Sequence, residues 1–336
     1  MSIHSCVAVG RRRRGPVLGV LLCLALVVLA GCGRGGSSAP AQKNTSSGGT
    51  PAYTIAYITH AAAGDSFWST QKNGAQAAAA AANVKLNYQN SNGDPQKQAQ
   101  MVDSAVSNHA SAIVVSLPNP AALMAPLQRA EAANIPVFSV NSGLASYKSV
   151  GSLAHVGEDE SVAGQGVGKK LNEAGLHSIL CVQQEQGNVG LEEYCKGIAS
   201  TFSGKVTNLF VNGTGDVSGS AATMRAKLAA DSSIDGVFSL SPDLAVAAEQ
   251  AITGASSKAK LAVWNLSPDV IKGISSGKIL FAEDEEPYLQ GYQSVTTAFL
   301  YLKDLLIPGG PILTGPAFVD KGNVARIQQL TSAGIR

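Results

Sequence analysis

The chain has 336 residues, 45% of them hydrophobic and 14% charged, with 36 glycines and a formal net charge of +2; this is a globular composition, and longer than one ordinary core needs, so two lobes are expected. Four of the 25 basic residues, Arg11 to Arg14, fall in a leader read below as removed, and the 21 that remain against 23 acidic residues leave the body at −2. A nearly neutral body argues against a nucleic-acid partner.

Met1 to Gly31 reads as a signal peptide: the arginine cluster, the apolar run Val17 to Ala30, then small residues. The 14 apolar residues at about 1.5 Å each reach about 21 Å, short of the roughly 30 Å hydrocarbon core, which favours an export signal over a permanent span. The tetrad Leu29-Ala-Gly-Cys32 resembles the bacterial lipobox, which implies a lipidated Cys32 at the head of the mature chain. An ordinary signal peptide with a chance cysteine is the alternative, and a twin-arginine signal fits the flanking residues poorly. After the cysteine, Gly33 to Thr50 is Gly, Ser and polar residues without apolar periodicity, so residues 32–51 form the lipid attachment and a flexible tether. A body held this way stands outside the cytoplasm, at the outer face of the membrane but not in it.

The body opens on Tyr53 to Thr59, a β-rich apolar run, followed by a small-residue loop, by Asp65 as a cap, and by a helix over Gln71 to Ala82. Strand then alternates with helix: a strand at Val84 to Asn90, a helix capped by Asp94 with Pro95, a strand at Ile113 to Ser116, a helix from Asn119-Pro120 to Ala133, a strand at Ile135 to Val140. A looser stretch, Gly143 to Ser152, leads to His155-Val-Gly-Glu-Asp-Glu160 and a helix to Glu173. The pattern restarts with strands at Ile179 to Gln183, Val206 to Val211, Gly236 to Leu240, Lys260 to Trp264 and Ile279 to Ala282, and with helices beginning near Leu191, Ser218, Pro242 and Pro268. A long helix runs from Pro287 to about Leu306, and Ala317 to Val319 is a last strand. Apolar strands alternating with helices call for parallel sheets with right-handed crossovers, here in two similar halves with a cleft between them.

Of five cysteines, Cys6 and Cys23 leave with the leader and Cys32 takes lipid, so Cys181 and Cys195 remain, 14 residues apart. In an oxidising compartment they are a disulfide candidate; two independent buried thiols are the alternative. The histidines of the mature chain, His60, His109, His155 and His177, lack metal-ligand spacing, with His109 on an apolar helix face, so no metal is expected. Gly164-Gln-Gly-Val-Gly168 lies inside a helical pattern, not in a strand-to-helix turn, and there is no phosphate-binding loop and no nucleophile elbow. Neither a cofactor nor catalysis is expected.

Polar residues concentrate where the strands end: His60, Asn141, Glu185, Ser241, Trp264, Asn265, Asp284 and Glu285, joined by the loop residues Asp65, Asp159, Asn188 and Asp243. In an open α/β sheet ligands bind outside these carboxyl ends. Aromatic faces beside carboxylate and amide edges suit a polyol, whose ring has a C–H face and a hydroxyl rim. Helix capping accounts for part of the same set, and Phe67 with Trp68 could equally close the bottom of a core.

The chain resembles the type I periplasmic substrate-binding proteins of sugar ABC importers, the ribose-binding-protein-like class, over Tyr53 to Val324. The carriers are the Asp65-Ser-Phe-Trp68 loop, Ile135-Pro-Val-Phe-Ser-Val-Asn141, His155 to Glu160, Gly236-Val-Phe238, Leu261 to Asp269 and Glu286-Pro-Tyr-Leu-Gln-Gly-Tyr292. The resemblance implies two doubly wound parallel-sheet lobes joined by a hinge that the chain crosses three times, near Gly157 to Asp159, Glu285 to Glu286 and Gly315. It thus implies one lobe from residues 52–157 plus 286–314 and the other from 158–285 plus 315–336. It also implies that Phe67 and Trp68 stack on the ligand and that Asn141, Asn265 and Glu285 bind its hydroxyls. Two departures stand out: Ser142 and Glu192 occupy positions where many sugar binders carry arginine, and Asp284-Glu-Glu286 is acidic where an amide is common.

The expectation is therefore an exported, monomeric lipoprotein that binds a small polyhydroxylated solute through Asp65, Phe67, Trp68, Asn141, Asp159, Asn188, Asp243, Trp264, Asn265 and Glu285. Its partner is an ABC permease. A receptor for a sugar-like signal and a secreted α/β enzyme are the alternatives.

Overall fold

A computed structural model of the chain describes residues 50–213 and 215–336. The leader, Cys32 and all but the last two residues of the tether lie outside the described residues.

The first half builds β1 (Thr54–Thr59), α1 (Ser66–Ala82), β2 (Lys85–Asn90), α2 (Pro95–Ser107), β3 (Ala112–Ser116), α3 (Pro120–Ala132), β4 (Val137–Val140) and β5 (His155–Gly157). The second builds α4 (Glu160–Glu173), β6 (Ser178–Gln183), α5 (Val189–Thr201), β7 (Lys205–Phe210), α6 (Val217–Ala230), β8 (Gly236–Ser239), a 3₁₀ turn (Pro242–Leu244), α7 (Ala245–Gly254), β9 (Lys260–Trp264), α8 (Pro268–Ser276) and β10 (Ile279–Asp284). Then come α9 (Pro287–Asp304), β11 (Ile312–Leu313), β12 (Ala317–Asp320) and α10 (Val324–Ser332). Two six-stranded sheets result, ordered β2-β1-β3-β4-β5-β11 and β7-β6-β8-β9-β10-β12.

The first sheet is parallel throughout. Its strands are apolar on both faces because helices cover both. Ile55 and Tyr57 face one core with Val295 and Ala298 of α9, whereas Ala56 and Ile58 face the other with Val102, Leu123 and Leu127 of α2 and α3. The second sheet repeats the arrangement, except that β12 pairs antiparallel with β10, a departure from the all-parallel expectation. β12 follows directly on a strand of the other sheet, with no crossover helix to turn it round.

Three segments pass from one sheet to the other: residues 158–159 between β5 and α4, 285–286 between β10 and α9, and 314–316 between β11 and β12. They are packed against one another. At Gly315 (φ +62°) a Cβ would strike the Glu158 carboxyl and approach the Glu285 Cα to 2.9 Å, so only glycine fits.

Three sequence expectations are corrected. Helix α1 begins at Ser66, not Gln71, because Asp65 already accepts a bond from the Trp68 N–H, so Phe67 and Trp68 ride on the first helical turn and not in a loop. His109 is not on a helix face: α2 ends at Ser107, and His109 is exposed in a left-handed turn at φ 52°. The short β5, β11 and α10 were not anticipated at all. A closer fit holds at the cap-then-proline pairs, where Asp94, Asn119 and Ser267 each accept backbone N–H bonds; Ser241 before Pro242 makes no such bond, while Asp159 and Asn188, expected at the ligand, cap α4 and α5.

Candidate functional site

The carboxyl ends of the two sheets face each other across a small cavity. From the first lobe it is lined by His60 after β1, Asp65, Phe67 and Trp68 at the start of α1, and Asn141 and Ser142 after β4. The second lobe contributes Gln184, Glu185 and Asn188 after β6, Leu191 on α5, Leu240, Ser241 and Pro242 after β8, and Trp264 and Asn265 at the end of β9; Glu285 enters from the second crossing. Its volume is about 30 Å³, room for about two waters with the lobes closed.

The aromatic wall has two parts. Phe67 and Trp68 meet edge to face at 5.0 Å, and His60 meets Trp68 edge to face at 4.8 Å. Apart from the lobe's two cores, Phe67 and Trp68 cluster with Ala61 alone. Opposite, Trp264 packs on Tyr194 at 4.8 Å and its Nε1 donates to Glu158 at 3.3 Å, which fixes the ring.

The polar wall is organised around Glu285. Its carboxylate accepts from Asn141 of one lobe (3.2 Å), from Asn265 of the other (2.8 Å) and from Gln290 of α9 (2.7 Å). Asn141 and Asn265 occupy the same station in their respective sheets, each directly after a central strand and each left-handed, at φ 63° and 69°. Asparagine tolerates that conformation better than most residues with a Cβ. Burial pushes the Glu285 carboxyl up to about 7 against the pull of the amide donors.

Further contacts join the lobes. His60 Nδ1 meets Ser116 Oγ at 2.8 Å while its Nε2 stands 3.4 Å from Glu185, and Asn188 Nδ2 donates to the same Glu185 oxygen at 2.7 Å. Burial pushes the Glu185 carboxyl up, but His60 and Asn188 more than offset it, and it lies below the usual range. At the rim, the Ser66 N–H and hydroxyl donate to Asp243 at 3.0 and 2.6 Å, and the Val189 N–H donates to the Pro118 carbonyl at 3.0 Å. Burial, then the nearby Asp243, raises the Asp65 carboxyl to about 7 against the Trp68 N–H bond. The lobes are closed on each other.

Of the ten site residues expected from sequence, eight line this cavity: Asp65, Phe67, Trp68, Asn141, Asn188, Trp264, Asn265 and Glu285. Asp243 does not; its carboxylate is taken by Ser66 in the interlobe contact. Asp159 also stands elsewhere, capping α4 through the Val162 N–H and facing a shallow surface depression. His60, Glu185 and Ser241 were marked only as strand-end residues, and Gln184 not at all. Their signal was position, since each follows the last residue of a strand or lies within two of it.

Among the described residues no group of three or more His, Cys, Asp and Glu is placed to hold a metal ion, and no helix is long and apolar enough to cross a membrane. No lysine or arginine lines the cavity.

Cys181 of β6 and Cys195 of α5 form a disulfide, with Cα atoms 6.1 Å apart. It ties together the two elements that flank the Gln184 to Asn188 loop. Converting both cysteines to alanine is expected to cost about 3 kcal/mol through the released loop entropy. By calorimetry that is a fall in Tm of roughly 6–12 °C, and an unchanged Tm would mean the bridge adds nothing.

A profile described as periplasmic binding protein domain matches residues 55–305. The xylose/arabinose-binding protein XylF of Sulfolobus acidocaldarius is 27% identical over 295 residues, covering 82% of this chain and 72% of that one. The ribose import binding protein RbsB of Haemophilus influenzae is 22% identical, covering 70% of this chain and 82% of that one. Among solved structures, a carbohydrate transporter from Acidothermus cellulolyticus in complex with myo-inositol superposes with a TM-score of 0.83 at 41% identity, covering 85% of this chain and all of the other. With two parallel-sheet lobes, three crossings and an interlobe cavity, the chain belongs to the periplasmic binding protein domain family.

Proposed function

We propose that this chain captures one uncharged, hydroxyl-rich ring, a sugar or a cyclic polyol such as myo-inositol, between its lobes and presents it to an ABC permease without reacting on it. In this reading residues 52–157 with 286–314 form one lobe and 158–285 with 315–336 the other. The protein acts as a monomer held outside the cytoplasm by lipidated Cys32. The observation that carries the proposal is the make-up of the cavity: walled by Phe67, Trp68 and Trp264, and edged by amides and carboxyls from both lobes.

The electrostatics favour a neutral ligand over a charged one. Without a lysine or arginine in the wall, a uronate or sugar phosphate has no counter-charge. The carboxylates do not call for a cation either, because Glu185 is engaged by His60 and Asn188, and Glu285 by three amides. Hydroxyls can both donate to these carboxylates and accept from the amides. Contacts to both lobes stabilise the closed form by population shift.

A thermal-shift screen of pentoses, hexoses, alditols, myo-inositol, amino sugars and polyamines tests this. A ligand at 100 times its Kd adds about 2.7 kcal/mol of stability, so a ring polyol is expected to raise Tm by several degrees. A response to polyamines alone would refute the reading.

A further inference from the structure

Beside this cavity lies a second, larger chamber of about 470 Å³, about as open to solvent as the first and formed by both lobes. The two share His60, Gln184, Glu185 and Asn188 as lining, so only a layer of side chains separates them. That partition is polar and loosely bonded: the His60 to Glu185 and His60 to Asn188 approaches are both 3.4 Å. Its short bonds, Asn188 to Glu185 at 2.7 Å and His60 to Ser116 at 2.8 Å, each lie within one lobe.

The far walls of the chamber repeat the chemistry of the inner cavity. Phe210, the last residue of edge strand β7, is 46% exposed and borders it. Phe210 pairs in register with Gln183, the residue before the Gln184 to Asn188 segment that makes the partition. Gln186 and Asn212 of the second lobe and Asn119 of the first line the same chamber. An exposed aromatic face in a chamber edged by amides is a surface for a sugar ring.

We propose that this chamber is an outer subsite: one ring of the ligand fills the inner cavity, and a second ring, joined to it through a glycosidic oxygen, passes the His60–Glu185–Asn188 partition and stacks on Phe210. The ligand class then extends from free ring polyols to their glycosides. This rests on the inner-cavity reading above.

Isothermal titration with matched pairs tests it: myo-inositol with galactinol, D-xylose with xylobiose, D-glucose with maltose. For whichever monomer binds, its glycoside is expected to bind within threefold of it or tighter. Phe210→Ala is expected to weaken the glycoside tenfold or more and leave the monomer within twofold, and Phe210→Trp to restore the glycoside. A glycoside more than tenfold weaker than its monomer, or a Phe210→Ala effect equal on both, shows the chamber to be only the mouth of the cleft and overturns the proposal. No response to any ring polyol of the thermal-shift screen, these pairs included, overturns the inner-cavity reading and this one with it.

Discussion

Replacing Trp68 with alanine is expected to weaken ligand binding about a hundredfold while leaving the fold intact. The ring belongs to neither apolar core of its lobe, clustering with Ala61 and Phe67 and meeting His60, so its loss opens the cleft and not the sheet. What is lost is a stacking face, worth roughly 2–3 kcal/mol when an aromatic side chain is fully buried against apolar surface. Each 1.4 kcal/mol is a factor of ten in Kd. His60 would also lose its edge-on neighbour and with it part of its alignment towards Glu185 across the lobes. Calorimetric titration gives the affinity and a thermal melt the control. Trp68→Phe should recover most of the loss. The chain has only two tryptophans, and both line the cavity, so ligand should shift the wild-type emission. Unchanged affinity in Trp68→Ala would remove that ring from the site.

The second large effect concerns pH. Glu158 and Glu283 are fully buried where the crossings meet. One oxygen of each is engaged, Glu158 accepting from Trp264 Nε1 and Glu283 from the Tyr194 hydroxyl at 2.7 Å, while Oε1 of each is buried without a hydrogen-bond partner among the described residues. Burial raises both carboxyls, Glu158 also through the neighbouring Glu283, and Glu283 reaches about 8. A carboxyl whose pKa is higher folded than unfolded stabilises the fold fully below its unfolded pKa, and that contribution is lost as pH rises through the folded value. Asp65 and Glu285, each raised to about 7, act in the same direction. Thermal stability is therefore expected to fall between pH 5 and pH 8. Glu158→Gln removes one of the two carboxyls that must charge in this buried place, and its carbonyl can still accept from Trp264. This variant should be more stable than wild type at pH 8, by several degrees in Tm, and should show a flatter pH profile. Parallel profiles for the two proteins would exclude the Glu158–Glu283 pair as the cause.

Much of this was legible in the sequence because it depends on local rules. The cap-then-proline pairs at Asp94, Asn119 and Ser267 mark helix starts, and apolar strands between them mark a sheet covered on both sides. Asn141, Asn265 and Glu285 could be picked as strand-end polar residues, and the structure brings the three together in one hydrogen-bonded group. What the sequence hid were properties of three dimensions. Asp243 looks like any pocket carboxylate until the far lobe supplies Ser66 as its partner. Asp159 has a pocket-like position along the chain, but its helix carries it outside the cleft. β5 and β11 are too short to show a period, and they exist because they pair with each other at the edge of a sheet.

Helices α1 and α9 touch backbone to backbone. A Cβ at Gly74 would collide with the Tyr288 carbonyl, and one at Gly291 with the Gln71 carbonyl. Gln71 and Gln290 add a side-chain bond between the helices at 3.2 Å, and Gln290 also holds Glu285. The helix that carries Phe67 and Trp68 and the helix that begins at the middle crossing are therefore packed as one unit. In the proposed reading, a solute seated on Trp68 bears on the same pair of helices that holds Glu285 at the neck between the lobes.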